Sequence, residues 1–139
     1  MISSFDQRGQ AAVLAIGLSL VTFMVAGLAV DGTRAFIYRR TLQNAADGAA
    51  LAAASEIDKA LYYSSGGRRV VLDGRAARTT AIRLLGRRGL DVRASVVSAP
   101  DSVELVIRGR IRTMFLALAG IREVPVAVAA RAEPFAGER

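Results

Sequence analysis

The sequence lacks cysteine, histidine and tryptophan, and it has only 3 prolines among its 139 residues. Without cysteine the chain can form neither a disulfide framework nor a thiolate metal site. Without histidine it lacks the usual general base and the commonest metal ligand. Ser-His-Asp and Cys-His catalytic sets are therefore excluded. No glycine-rich phosphate loop precedes a helix, and no carboxylates cluster at metal-ligand spacing, so we expect neither an enzyme nor a cofactor.

Acidic residues are outnumbered, and the formal net charge is +7, with 18 arginines among the 19 basic residues. Through Asp58 there are four arginines against five carboxylates, a net charge of −1, whereas from Lys59 onward fifteen bases face seven acids, a net charge of +8. The C-terminal part therefore carries the positive field. This field favours anionic partners such as lipid headgroups, an acidic protein or a nucleic acid. A GC-rich coding background is the simpler explanation of so much arginine.

The longest uncharged stretch runs from Ala11 to Val30 and is 20 residues long. At about 1.5 Å per residue, a helix of that length spans about 30 Å, the thickness of a hydrocarbon core. The stretch is longer than the apolar region of a secretory signal, and it leads into Asp31, Gly32 and Thr33 and not into a cleavage site. We predict a transmembrane helix over residues 11–30, after a short N-terminal flank over residues 1–10.

Helical composition continues beyond this span, because Arg34 to Ala60 is alanine-rich and contains no proline. We predict that the helix continues unbroken out of the membrane and assign residues 31–63 to a helical extension. Small side chains mixed with hydrogen-bonding groups predict helix packing, against neighbouring helices or the chain's own sheet, at Asn44, Ala45, Ala46, Asp47, Ala49 and Ala50. A solvated stalk is the alternative.

Residues 64–139 are predicted to form a small basic α+β domain. Ser64-Ser65-Gly66-Gly67 indicates a break after the helix. Apolar residues from Gly74 to Arg88 recur at helical spacing and predict a helix. Alternating residues on both sides of Ala99-Pro100-Asp101 predict an antiparallel hairpin with one dry face.

The last part of the chain predicts a short apolar helix and a final strand. The helix covers Thr113 to Ala119 and is ended by Gly120. The strand covers Val124 to Ala130, and Pro125 indicates that it begins at a sheet edge.

Charged residues in this domain offer one concentrated feature, a stripe formed by Arg108, Arg110 and Arg112. Their period-two spacing places all three on one strand face over about 14 Å. Such a stripe fits contact with phosphates of lipid headgroups or of nucleic acid. A solvated face that blunts edge pairing is the alternative. No aromatic residue alternates with these arginines, so base stacking on the stripe has no support.

Two further groups of charges are interpreted as ordinary ion pairs. Asp91 and Glu104 are placed on facing strands of the hairpin beside Arg93 and Arg108, where cross-strand pairing is the economical explanation. Asp31 is expected to pair with Arg34 one helical turn away, in preference to a role in proton relay.

Several short motifs follow one another in a characteristic order near the N-terminus. Arg8-Gly9-Gln10 precedes the apolar span, Gly27-Leu28-Ala29-Val30-Asp31 leads to Arg39-Arg40, and Leu42-Gln43-Asn44-Ala45-Ala46-Asp47 follows. Together they resemble the N-terminal region of Tad-type (Flp) pilus-assembly proteins of the TadE/TadG-like group, over about residues 7–55. The segment from Thr113 to Gly120 and the alternating strand after it also resemble the end of such proteins.

The resemblance implies a component of the bacterial inner membrane that spans it once, with a pilin-like α+β domain on the extracytoplasmic side. Counting arginines beside the span predicts the opposite orientation. Pilin precursors are cut after a glycine and carry glutamate at the fifth mature position, which counted from Gly9 is Leu14 here. The chain is therefore expected to remain uncut and to resemble the TadG branch more closely.

Two functions follow from these observations. The first is a non-enzymatic structural or assembly component of a Tad/Flp-type pilus or a related secretion machine. Its partners would be other membrane proteins of that machine and the lipid bilayer, with self-association left open. The second is a membrane-anchored binder of anionic polymers, including DNA, at the cell surface, although the missing aromatics disfavour nucleic acid.

Overall fold

The computed structural model describes the backbone of residues 4–135 and the side chains from residue 9 onward. Its elements are, in order, α1 (Ser4–Ala54), α2 (Lys59–Ser64), α3 (Gly74–Arg87), β1 (Arg93–Ser98), β2 (Val103–Arg112), a 3-10 helix (Leu116–Ala119) and β3 (Glu123–Ala132). A long apolar helix followed by a small antiparallel sheet confirms the predicted α+β class. The side chains of residues 1–8 lie outside the described residues. They belong to the predicted flank and include Arg8 of the first motif.

The described contacts divide the chain into two units. One unit contains residues up to Phe36 together with Arg112–Val124, and the other contains Ile37–Ile111 together with residues from Pro125 onward. The domain boundaries drawn from the sequence, at residues 10, 30 and 63, stay predictions.

The first half of α1 presents apolar side chains to its surroundings. In the part of the chain that the structure describes, one helix, Gly9–Ala54, is long and apolar enough to cross a membrane. Ile16 and Phe23 are 70% and 72% exposed. The hydroxyls of Ser19 and Thr22 donate to carbonyls four residues earlier, at 2.8 and 2.9 Å. Both hydroxyls are thus satisfied within the helix, which an apolar environment requires.

The second unit has one hydrophobic core, to which α1, α3 and all three strands contribute. The largest side chains of this core without exposed surface are those of Leu42, Val103, Leu105 and Ile107. Small residues of the two helices complete it and permit close backbone approach. These are Ala45, Ala46, Ala49, Ala50, Ala53, Ala54, Ala77 and Ala81.

The helix continues unbroken past residue 30, as predicted, but it ends at Ala54 and a separate helix, α2, follows. Ile57 forms an isolated antiparallel bridge with Leu72, which takes the backbone out of the helical path. Asp58 then caps α2, its carboxylate accepting a hydrogen bond from the Leu61 N–H at 3.0 Å. A capped second start stabilises a new helix after the break.

The predicted turn and helix after α2 are both present. Gly66 and Gly67 have φ angles of 63° and 79°, a left-handed conformation that glycine adopts without steric cost. α3 begins after Asp73, whose carboxylate accepts hydrogen bonds from the N–H groups of Arg75 and Ala76, both at 3.0 Å. This cap explains why the helix begins where the periodic pattern does.

The predicted antiparallel hairpin is confirmed, with Val96 opposite Leu105 and Ser98 opposite Val103. The strand order is β1-β2-β3, so β2 is the central strand and β3 lies at an edge, as Pro125 predicted. Along β2 buried and exposed residues alternate, and the buried side faces the core. The other side of β2 is exposed.

Candidate functional site

The most specific arrangement in the first unit is one turn of α1 that holds a distant loop. Gly27 and Asp31, one helical turn apart, are both buried, and Asp31 is only 4% exposed. The carboxylate of Asp31 accepts hydrogen bonds from three consecutive backbone N–H groups, those of Met114 at 2.9 Å, Phe115 at 2.9 Å and Leu116 at 2.8 Å. One side chain thus fixes the start of the 3-10 helix.

The chemistry of this contact follows from helix geometry. Side chains of an α-helix tilt towards its N-terminus, so the Asp31 carboxylate is directed back over the turn that contains Gly27. Phe115 occupies the cap position of the 3-10 helix, and its own side chain makes no capping hydrogen bond. A charged acceptor supplied from α1 performs that function, and hydrogen bonds to charged groups are about twice as strong as neutral ones.

Gly27 makes the close approach of the loop possible. A Cβ atom at this position would lie 2.6 Å from both Cβ and Cγ of Phe115, closer than real side chains approach. The phenylalanine side chain therefore packs directly against the glycine, in space that a larger residue would fill. Gly27 and Asp31 act as a pair, because one admits the ring and the other binds the backbone beside it.

The predicted pairing of Asp31 with Arg34 missed these three hydrogen bonds. Their partners lie 83 to 85 residues away along the chain, beyond the reach of any local rule. A usable signal was present in the sequence, since Gly27 and Asp31 stand four residues apart at the end of an apolar helix. That spacing places a notch and a carboxylate on the same helix face.

The six residues predicted to pack along α1 separate into two groups. Ala45, Ala46, Ala49 and Ala50 are at most 1% exposed and belong to the core of the chain's own second unit, whereas Asn44 and Asp47 are exposed. Of the two packing partners left open by the sequence, the chain's own sheet occupies the alanine face. Whether Asn44 and Asp47 contact another protein stays a prediction.

A glutamine on the same helix ties α1 to the edge strand. The side-chain amide of Gln43 donates to the carbonyl of Ala129 at 3.0 Å and to the Asp47 carboxylate at 2.9 Å. The first bond occupies a backbone acceptor of β3, where unpaired groups would otherwise invite pairing with another chain.

The predicted arginine stripe lies on the exposed side of β2. Arg108, Arg110 and Arg112 alternate there with less exposed residues, and β2 is the central strand in the sheet order. Pairing with β1 ends at Arg108, so Arg110 and Arg112 lie beyond it, and both interpretations of the stripe stay predictions. Arg93 stands directly opposite Arg108 in the register. Like charges in directly opposite positions destabilise a sheet.

The strands do not form the predicted cross-strand ion pairs, which joined Asp91 and Glu104 to Arg93 and Arg108. Asp91 precedes β1, and Glu104 stands opposite Val97. Glu104 instead contacts Arg131 at 3.3 Å, with both side chains more than half exposed. An exposed pair of this kind contributes at most about 1 kcal/mol.

Within residues 9–135 no group of three or more His, Cys, Asp or Glu side chains could hold a metal ion. The chemistry of the described sites is that of hydrogen bonding and packing.

One part of this chain is similar to a known protein family. The family model for Flp pilus-assembly TadE/G-like proteins matches residues 9–56. This segment is similar to that family, and it includes Gly27, Asp31 and the alanine face of α1. No curated protein matches the chain. No solved structure matches it either.

Proposed function

We propose that this chain is a non-enzymatic, membrane-anchored structural or assembly component of a Tad/Flp-type pilus or related secretion machine. The observation that carries the proposal is that the family similarity falls on residues 9–56, which hold the exposed apolar helix and the alanine face. In this proposal the segment supplies a membrane anchor and a packing surface. Neither supplies catalytic chemistry.

The proposal includes a single pass through the inner membrane and an uncut N-terminus, nearer to the TadG branch. The small domain lies on the extracytoplasmic side. The motif order around Gly27-Leu28-Ala29-Val30-Asp31 supports this orientation, and Arg34, Arg39 and Arg40 oppose it by charge count.

Orientation is tested by fusing a reporter after Arg139 that is active only outside the cytoplasm. We expect an active fusion, and the same reporter fused to the chain without residues 11–30 should be silent. A stable, membrane-bound full-length fusion without reporter activity would reverse the topology.

Partner contact is tested on the exposed flank of α1, because the chain itself covers the alanine face. Asn44 and Asp47 are exposed, and Leu51 continues this flank with 67% exposure. Replacing Asn44 with leucine should change the free energy of unfolding by less than about 0.5 kcal/mol, as surface substitutions usually do. We expect reduced co-purification with the membrane proteins of the pilus machine.

A matched control is Arg78→Leu, an exposed substitution on α3, which should leave co-purification intact. Unchanged co-purification of both variants would show that this flank of α1 faces solvent. Failure of the unmodified chain to co-purify with any component of the machine would contradict the proposed function itself.

A second candidate, a membrane-anchored binder of anionic polymers, is favoured by Arg93 standing opposite Arg108 beside Arg110. This function requires salt-sensitive retention of duplex DNA or another polyanion by the detergent-solubilised chain. It also requires that replacing Arg93 and Arg108 with glutamine abolish the retention. Pilus assembly, in contrast, requires no such retention.

A further inference from the structure

The loop held by Asp31 exposes an unusual concentration of large apolar side chains. Within residues 114–121, here called the apolar loop, Met114 is 61% exposed, Phe115 40%, Leu118 88% and Ile121 50%. Single exposed apolar residues are common, but a contiguous group of this kind marks an interaction site. The question is which surface covers it.

The position of the apolar loop beside α1 answers this question. Phe115 packs on Gly27, and Asp31 binds the backbone from Met114 to Leu116. Gly27 lies three residues before Val30, the end of the uncharged stretch, and is therefore about 4.5 Å inside the span at 1.5 Å per residue. Segments that lie in a membrane interface reach a depth of about 5–10 Å.

Backbone N–H groups of the apolar loop have hydrogen-bond partners within the protein, as an environment without water requires. Asp31 accepts the N–H groups of residues 114, 115 and 116. The N–H groups of residues 118, 120 and 121 donate to carbonyls of residues 115, 117 and 116 within the loop. Irregular backbone enters the hydrocarbon boundary only when its polar groups are satisfied in this way.

Basic residues stand at both ends of the apolar loop. The N–H of Thr113 donates to the carbonyl of Arg122 at 3.0 Å, which brings the two ends of the loop together. Arg112 and Arg122, on either side of this bond, are both exposed. Arginine beside an apolar segment extends its charged group to anionic headgroups.

We propose that the apolar loop is a second membrane contact, whose apolar side chains enter the same leaflet in which the α1 span ends. Lipid is the occupant, and Asp31 is the positioning residue that holds the loop at the membrane boundary. This inference rests on the proposed membrane anchoring by α1 and is independent of the role in a pilus machine.

The test measures the depth of single fluorescent probes in the full-length chain, which offers no native cysteine to compete for the label. Leu118→Cys carries an environment-sensitive fluorophore, and the protein is reconstituted in vesicles of phosphatidylethanolamine and phosphatidylglycerol. Leu20→Cys, within the span, calibrates the lipid signal. Arg40→Cys, about 15 Å beyond Val30 along α1, calibrates the aqueous signal.

We expect the probe at position 118 to be quenched by spin-labelled lipid, to be protected from aqueous iodide, and to emit at shorter wavelength than the probe at position 40. The probe at position 118 should be quenched most strongly by lipid that carries its spin label near the headgroup. The probe at position 20 should be quenched most strongly by lipid that carries the label deep in the acyl chain. A probe at Met114→Cys should repeat the result for 118.

Other outcomes overturn the inference in distinguishable ways. Iodide quenching at 118 equal to that at 40 would show that the loop faces water. Protection at 118 from both quenchers would show that protein, a second copy included, covers the loop. Either result with lipid quenching at 20 leaves the membrane anchor intact, whereas loss of lipid quenching at 20 contradicts the anchor itself.

Discussion

Replacing Asp31 with alanine should release the apolar loop from α1 and cause the largest local loss of stability in the first unit. Three N–H groups lose a charged acceptor at once. Each hydrogen bond to a charged group contributes about 1.5–3 kcal/mol, and such contributions are not fully additive. We expect a loss of about 3 kcal/mol or more in the free energy that holds the loop closed.

Amide hydrogen exchange of the detergent-solubilised chain measures this effect directly. The amides of Met114, Phe115 and Leu116 should exchange at least about 100-fold faster, because each 1.4 kcal/mol corresponds to a factor of ten. The amides of β1 in the second unit should keep their protection. Asp31→Asn should lie between wild type and alanine, since its single carbonyl oxygen can accept only part of the set.

Asp47→Ala is the matched control for the loss of a carboxylate on α1. Asp47 is exposed and accepts its hydrogen bond from Gln43, one turn away. Its removal should cost less than about 0.5 kcal/mol and leave exchange of the loop amides unchanged. Equal exchange in wild type and Asp31→Ala would mean that the loop is held by other contacts.

Replacing Ala46 or Ala49 with leucine should destabilise the second unit by about 1–3 kcal/mol. Neither alanine has any exposed surface, so the added side chain displaces its neighbours in the core. Alanine and leucine differ little in helix propensity, so α1 itself should be nearly unaffected. Overpacking is thus the cause that this substitution isolates.

Thermal unfolding in detergent gives the readout, with protein abundance in membranes as a second measure. Each 1 kcal/mol should lower the midpoint by about 4–8 °C for a unit of this size. Asn44→Leu serves as the control, because it adds a similar apolar side chain on the exposed side of the same helix. A wild-type melting curve for both alanine variants would contradict the close packing of this face.

Sequence patterns predicted several features that depend on neighbours along the chain. The uncharged stretch from Ala11 to Val30 predicted an exposed apolar helix, and period-two alternation predicted the hairpin with Leu105 inside. The glycines near residue 66 predicted a turn, and the periodic apolar residues after Gly74 predicted α3. In each case the responsible interaction lies within a few residues of its cause.

The sequence did not predict the end of α1, because the alanine-rich composition from Arg34 to Ala60 favours continued helix. The bridge between Ile57 and Leu72 overrides that propensity, and it depends on a partner fifteen residues away. Charge pairing was missed for a related reason, since Glu104 contacts Arg131 on a strand whose register the hairpin pattern does not determine.

By itself the sequence determined the anchor-like helix, the α+β class, the hairpin and the family similarity of the N-terminal segment, because periodicity and motif order are properties of adjacent residues. Only the tertiary structure decided that the alanine face is covered by the chain's own core and that Asp31 binds a loop. Those contacts join residues more than eighty positions apart in the case of Asp31. Such pairings depend on how the chain returns to α1, which local patterns do not encode.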